Sequence, residues 1–387
     1  MISSKHPFWL VGFRPFFSLA CLAGLSLPIL WILVLKGVLP APNAAFSPTQ
    51  WHAHEMFYGF GWAVLGGFLL TSTKNWVNVR GYHGGVLIYL TAAWLVERLV
   101  IAFGGNLPAV LFWLGSQLFL ISIVALLLAT LIRHRHTDGY RRDNLFFLLI
   151  LPTFALAKIL ILLPDSFHLG WTMTLGLFRV AFLVMLERTL TQFMKSIFKV
   201  DILRHPLLDN SIKVLGILLV AAAFVPPAIA AVFSLLLATL LLLRFAFWHP
   251  LEAFSRLDVG IMYLGYLAIT GQLLIEASSL AFNIAWVGSV GVHVFTFGAM
   301  GLVIPAMMIR IANGHTGRKV AFGAYEKTVL WIMILAFALR LIGPQLAPGI
   351  YLRWLDMAAT CWFVAFLLLG WRFIPYFYRP RIDGKEH

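Results

Sequence analysis

The chain has 387 residues, of which 61% are hydrophobic and 11% charged, and its formal net charge is +14. Soluble domains are roughly 45–50% apolar and about 25% charged, so this composition excludes a soluble enzyme, a disordered chain and a disulfide-rich secreted module. A polytopic membrane protein remains, because a bilayer core requires long apolar segments that satisfy their own backbone hydrogen bonds.

Twelve apolar segments are candidates for membrane spans, since a helix needs about 20 such residues to cross a bilayer. Pro226 and Pro227 divide a stretch that is too long for one span, because proline breaks a helix interior. The sequence therefore predicts an all-α, polytopic transmembrane helix bundle of about 12 spans, forming a single domain over residues 1–387. The predicted spans are 16–39, 52–73, 84–103, 109–132, 144–163, 168–190, 212–225, 228–247, 258–280, 286–310, 325–346 and 351–374.

The basic residues indicate an orientation for these spans. Lys and Arg concentrate in alternate loops and in both terminal segments, whereas the intervening loops are short and nearly free of them. Since cytoplasmic loops are enriched in Lys and Arg, both termini are predicted to be cytoplasmic. The large positive charge then reflects membrane orientation and predicts no nucleic-acid partner.

Several charged residues lie within the predicted spans, where each costs at least about 2.5–3.5 kcal/mol at the bilayer centre. They are Arg98, Lys158, Arg179, Arg340, Glu55, Glu97 and Glu276. Two interpretations are open: Arg–Glu pairs that fix the helix registry, or a polar cavity on the outer side of the membrane. Glu97 and Arg98 are adjacent and would face about 100° apart on a helix, so each is expected to pair with another helix.

Three histidines are predicted to lie at one depth on the outer side. His52 and His54 open the second span, and His293 lies about two turns into the tenth. Imidazoles at one depth favour a copper site, or copper together with haem. His52 and His54 would be about 200° apart on a regular helix, so they could share one metal only if the helix start is irregular. Otherwise they serve different centres, or one merely donates a hydrogen bond.

Two further histidines lie at the ends predicted to face inside. His249 ends the eighth span, and His315 follows the tenth between Arg310 and Arg318. Guanidinium groups bind oxyanions well, so this cluster could hold haem propionates or another anion. The alternative is an ordinary positive loop whose glycines form turns.

The order of these motifs resembles the NnrS family. The resemblance is carried by Arg14-Pro-Phe-Phe17, Trp51-His-Ala-His-Glu-Met56, Gly67-Phe-Leu-Leu-Thr71, Asn75-Trp76, Trp248-His-Pro250, Leu264-Gly-Tyr266, His293-Val-Phe-Thr-Phe-Gly-Ala-Met300, Arg310 and Gly314-His-Thr-Gly-Arg318. One segment departs from the family pattern: Glu187–Phe193 keeps Arg188 but lacks the proline of a Gly-Arg-x-x-Pro-Phe-Phe-like turn.

The resemblance implies a multi-pass protein of the bacterial inner membrane that contains haem and copper and takes part in the response to nitric oxide. It makes His52, His54, His249, His293 and His315 the candidate ligands, without dividing them between haem and copper. Such a protein would reduce nitric oxide, as an oxidoreductase, or relieve its toxicity. The resemblance does not decide whether the electron donor is a quinol or a cytochrome, nor whether the protein turns over nitric oxide. Glu55, Glu97 and Glu276 would carry protons or hold imidazole tautomers.

Two other functions are compatible with the pattern. Twelve spans with both ends inside is a common layout for a secondary transporter, in which intramembrane acids and histidines would bind the substrate. A non-catalytic membrane sensor that binds haem or copper would instead hold the cofactors without turnover. Stoichiometric, tightly held haem separates the first alternative from a haem–copper protein.

Overall fold

The computed structural model describes residues 3–43, 45–282 and 284–385, so Met1, Ile2, Ala44, Asn283, Glu386 and His387 lie outside the described part. Within those ranges all regular structure is helical, and twelve helices are long and apolar enough to cross a membrane. The predicted all-α fold is confirmed. The spans are α1 Phe13–Leu35, α2 Pro48–Val77, α3 Gly85–Asn106, α4 Ala109–Arg133, α5 Asn144–Leu162, α6 Pro164–Phe198, α7 Pro206–Phe224, α8 Pro227–Ala246, α9 Leu257–Phe282, α10 Val290–His315, α11 Ala324–Leu346 and α12 Pro348–Phe377.

The division at the Pro226-Pro227 pair is confirmed, since α7 ends at Phe224 and α8 begins at Pro227. However, α7 begins at Pro206, six residues before the predicted start. Its first turn contains the polar residue Asp209, which the predicted span left out, and Lys213 follows inside the predicted span. Both side chains are buried and form ion pairs, so they can lie within a helix of this membrane protein.

The helices form two compact units. The first contains Met1–Trp171, Met308–Ala321 and Phe366–His387, and the second contains Thr172–Met307 and Phe322–Ala365. In the first unit α1 packs against α2, and α3 packs against α4. In the second unit α9 packs against α8 and against the first turns of α10. Aromatic and aliphatic side chains fill both units, including Trp62 in the first and Trp248 in the second.

Three spans contain a wider, π-helical segment. In α2 it covers Glu55–Gly61, in α10 Val294–Met300, and in α6 Met194–Phe198. The first two begin directly after His54 and His293. Such segments occur mostly as local bulges and are frequent at functional sites. The irregularity of α10 therefore begins before Pro305, the proline inside this span.

Candidate functional site

His54 lies at the end of the α-helical start of α2. Ser47 caps this helix through a reciprocal pair of hydrogen bonds with Gln50, and Pro48 occupies the first turn, where its missing N–H is not needed. The π-helical segment starts at the next residue, Glu55. His54 Nδ1 lies 2.9 Å from Glu55 Oε1, and the His54 side chain has no exposed surface.

A buried charge network extends from Glu55. Arg98 Nη1 lies 3.3 Å from Glu55 Oε1, and Arg98 Nη2 donates to Glu97 Oε1 over 2.9 Å. Glu97 forms an ion pair with Lys158 of α5, and its Oε2 accepts from the backbone N–H of Phe119. As expected, Glu97 and Arg98 both pair with other helices, although they also pair with each other. The network therefore combines two positive and two negative side chains in three spans.

Gly59 brings the two spans α2 and α3 close together. The indole N–H of Trp94 donates to the Gly59 carbonyl over 3.1 Å. A Cβ atom at position 59 would lie 2.7 Å from Arg98 Nη1. The missing side chain is thus what allows Arg98 to reach Glu55 across this interface.

The second ring nitrogen of His54, Nε2, is enclosed by protein. Nε2 is buried and has no hydrogen-bond partner among the described residues. Because Nδ1 faces a carboxylate, the hydrogen-bond pattern assigns the proton to Nδ1 and leaves a lone pair on Nε2. A carboxylate that fixes the tautomer of an imidazole in this way is the usual outer partner of a metal-binding histidine. His54 therefore has the chemistry of a metal ligand.

His52 faces different surroundings. Its ring is half-buried and stacks on Trp31, with 4.3 Å between ring centroids and an angle of 14° between planes. The helix is regular from Pro48 to His54, and the irregular segment begins only afterwards. The condition for His52 and His54 to share one metal, an irregular helix start, is therefore not met. The two imidazoles therefore have different neighbours: His52 stacks on Trp31, and His54 bonds Glu55.

His293, in the second unit, is held at its Nδ1 atom too. Nδ1 lies 2.8 Å from the Ser289 carbonyl and 2.9 Å from the Ser289 hydroxyl. Arg340 Nη2 lies 3.2 Å from Nδ1 and 3.4 Å from Nε2, against the face of the half-buried ring. A backbone carbonyl at Nδ1 fixes the tautomer as a carboxylate does. His293 and His54 thus share a held Nδ1 atom and a π-helical segment that follows directly.

Glu276 belongs to a separate pair in the second unit. Arg179 Nη2 donates to Glu276 Oε2 over 3.1 Å, and Gln272 Nε2 donates to the same oxygen over 2.7 Å. This arrangement matches the expected Arg–Glu pairing that fixes helix registry. It gives Glu276 a defined partner on α6 and another on its own helix.

The remaining candidates lie at helix ends. His249 is exposed, has a left-handed backbone conformation, and its Nδ1 lies 3.5 Å from Glu252. Arg310 and His315 are half-buried, and the His315 ring packs against Phe13 with 5.5 Å between centroids. Arg318 lies 3.8 Å from the centre of the Tyr376 ring.

Sequence reasoning missed a buried ion cluster in the second unit. Glu187 accepts hydrogen bonds from Arg204, Lys213 and Arg244, and Asp209 pairs with Arg204. The sequence analysis assigned the basic members to the cytoplasmic side, as charges that set membrane orientation. The available signal was the presence of Glu187 and Asp209 beside apolar span ends, where an unpaired acid would be costly.

A cluster of ligands is not evident from side-chain positions alone. Within residues 3–43, 45–282 and 284–385, no group of three or more His, Cys, Asp or Glu side chains is arranged to hold a metal ion. His52, His54, His315, Arg310 and Arg318 belong to the first unit, and His249 and His293 to the second.

The spans and the buried charged side chains define a multi-pass α-helical membrane protein with polar groups inside its helix bundle. The chain matches the family described as NnrS protein over residues 7–381, and it therefore belongs to the NnrS family. Membership indicates a membrane protein with a function related to nitric oxide. No curated protein matches the chain.

Proposed function

We propose that this protein is a haem- and copper-binding protein of the bacterial inner membrane that handles nitric oxide. The observation that carries the proposal is His54, whose Nε2 is buried and has no hydrogen-bond partner among the described residues, while Nδ1 faces Glu55. A histidine oriented by a carboxylate, with its other nitrogen available, fits a metal ion. The side chain is wholly enclosed, so His54 suits a single copper ion better than a haem, which needs a slot for its whole ring.

His293 and His52 are the proposed ligands whose imidazole rings are partly exposed. Both are half-buried, and His293 has its Nδ1 held by Ser289. A partly exposed imidazole leaves room on one side for a large planar group. His249, which follows the end of α8, and His315, the last residue of α10, remain candidate ligands. When bound, haem iron and copper would supply binding of a diatomic ligand and electron transfer.

The residues of the chain itself hold and orient the imidazoles. The Glu55 carboxylate accepts a hydrogen bond from the protonated Nδ1 of His54 and so fixes the tautomer of the ring. Arg98 holds Glu55 in place with its positive charge. Glu97 and Lys158 balance the charge of this network without contact with water, since neither side chain is exposed. We propose that Glu55 and Glu97, which rest as carboxylates, accept protons and pass them on near the ligand, with nitric oxide as the ligand or substrate and a quinol or cytochrome as electron donor.

The test is cofactor content in the purified, full-length protein. We expect His54→Ala to lose copper, and His293→Ala to lose haem absorbance or its change when nitric oxide is added to the reduced protein. His83→Ala is the matched control, because His83 is exposed in a loop of the first unit and, among the described residues, bonds the Gly81 carbonyl of its own loop. Full retention of both cofactors in the His52, His54 and His293 variants would contradict the proposal. A folded wild type without haem would favour the transporter alternative.

A further inference from the structure

Arg14, the second residue of α1, is completely buried. Its Nη1, which carries two N–H groups, lies within hydrogen-bond distance of three backbone carbonyls, those of Pro7 at 3.0 Å, Phe377 at 2.9 Å and Arg379 at 2.8 Å. Its Nε and Nη2 are also buried, yet neither has a hydrogen-bond partner among the described residues. Leaving buried N–H groups of a charged side chain unsatisfied is costly, so these two groups point to an acceptor that the chain does not supply.

Other positive charges surround the same place. Arg318 and Arg381 lie in the same region, because Arg14 Nη1 lies 2.8 Å from the Arg379 carbonyl and the N–H of Ile382, next to Arg381, donates to the Thr316 carbonyl over 3.2 Å. Arg381 pairs with Asp383 through two hydrogen bonds of 2.9 and 2.6 Å. The hydrogen bonds of Arg14 and Arg318 within the described ranges go to carbonyl oxygens instead of carboxylates. Three positive groups and one negative group leave this basic cluster with an excess of positive charge.

The cluster lies where three spans of the first unit end. The Phe13 ring, at the start of α1, packs against His315 at the end of α10 and against Phe377 at the end of α12, with 5.5 and 5.3 Å between centroids. Ends of spans lie at the level of the lipid headgroups. Tyr376, beneath Arg318, is an aromatic residue of the type that occurs at this level. The charge excess is therefore placed at the depth of lipid phosphates.

We propose that Arg14, Arg318 and Arg381 form a binding site for the phosphate group of an anionic phospholipid. Guanidinium groups recognise phosphate oxygens with paired, charge-assisted hydrogen bonds. Positive side chains near span ends attract anionic lipids. Inorganic phosphate has the same chemistry and is the second source to be distinguished. Asp383 competes for Arg381: the hydrogen bond from Arg381 lowers the pKa of Asp383 to about 2, so the carboxylate is ionised at neutral pH.

The test titrates the detergent-solubilised, full-length protein with phosphatidylglycerol, phosphatidylcholine or inorganic phosphate. Bound lipid is counted by native mass spectrometry, and the unfolding temperature is followed in parallel. We expect one tightly bound phosphatidylglycerol, with affinity at least about fivefold weaker in Arg318→Gln and Arg381→Gln. We expect Asp383→Asn to bind more tightly, because the competing carboxylate is gone. Arg142→Gln, at an exposed position of the same unit, is the control and should match the wild type.

The outcomes separate the sources. A response to inorganic phosphate without one to phosphatidylglycerol would support the site and assign it to free phosphate. If Arg318→Gln and Arg381→Gln bind phosphatidylglycerol and inorganic phosphate as tightly as the wild type does, the proposal is overturned. Weaker binding in Asp383→Asn would also overturn it, because it would show that the Arg381–Asp383 pair is purely structural. Loss of haem, with lipid binding unchanged, would assign the arginines to haem propionates and also overturn it. None of these readouts depends on the His54 proposal.

Discussion

Replacing Glu97 by glutamine would leave an uncompensated charge inside the first unit. Glu97 and Lys158 have no exposed side-chain surface, and Glu55 and Arg98 complete the network. The four side chains together are neutral, so Glu97→Gln leaves a charge of +1 and Lys158→Met leaves −1. Removing one partner of a buried ion pair costs about 3–5 kcal/mol. We therefore expect each single variant to lose about that much free energy of unfolding.

The double variant Glu97→Gln/Lys158→Met restores neutrality, because Glu55 and Arg98 then balance each other. If the two single losses were independent, they would sum to about 6–10 kcal/mol. We expect the double variant to lose less than about 3 kcal/mol, since a buried ion pair is often replaceable by apolar groups of similar size.

The assay is reversible unfolding in mild detergent, monitored by intrinsic fluorescence, with all four proteins measured at one detergent concentration. Glu252→Gln is the control, because Glu252 is about half exposed (47%) and, within the described part of the chain, its carboxylate pairs with His249 alone. A loss below about 1 kcal/mol in Glu97→Gln, or additive losses in the double variant, would refute the reasoning that charge balance stabilises this network.

Three further results are expected. Gly59→Ala should separate Arg98 from its carboxylate and lower the unfolding temperature, whereas Gly85→Ala, where a Cβ atom would meet nothing within 4 Å, should not. Glu187→Gln should cost about 3–5 kcal/mol in the same unfolding assay, because it leaves three basic side chains around one remaining acid; an unchanged midpoint would contradict this. The lowered pKa of Asp383 means that its pairing stabilises the C-terminal tail fully above about pH 4 and is lost as pH falls through about 2. The carboxyl carbon-13 shift of Asp383, followed by NMR, should therefore titrate near pH 2; a midpoint near pH 4 would contradict this.

The spans could be predicted from the sequence because hydropathy and proline act locally. The twelve segments, and the break before Pro227, follow from apolar length alone. The early start of α7 could not be predicted this way, since Asp209 is acceptable in the helix only because Arg204 and, from α8, Arg244 pair with it.

The candidate site was predictable in composition but not in arrangement. The pattern His52-x-His54 and the acidic residues within the spans marked the relevant residues. Neither predicted that His54 is fully buried while His52 stacks on Trp31, because this depends on the wide turn after His54 and on packing against α1. The burial of Arg14 could not be predicted either, because it depends on carbonyls from the other end of the chain.

The charge network also bears on how the protein enters the membrane. Glu97 and Arg98 are neighbours on α3 and pair with each other, so this helix carries its own counter-ion into the bilayer. Lys158 arrives later, alone among its neighbours on α5, and its partner carboxylate is already in place. Spans that leave a ribosome in this order present the lone cation last, to a site that can neutralise it. Assembly of α5 is then coupled to the prior folding of α2 and α3, which gives membrane insertion a direction.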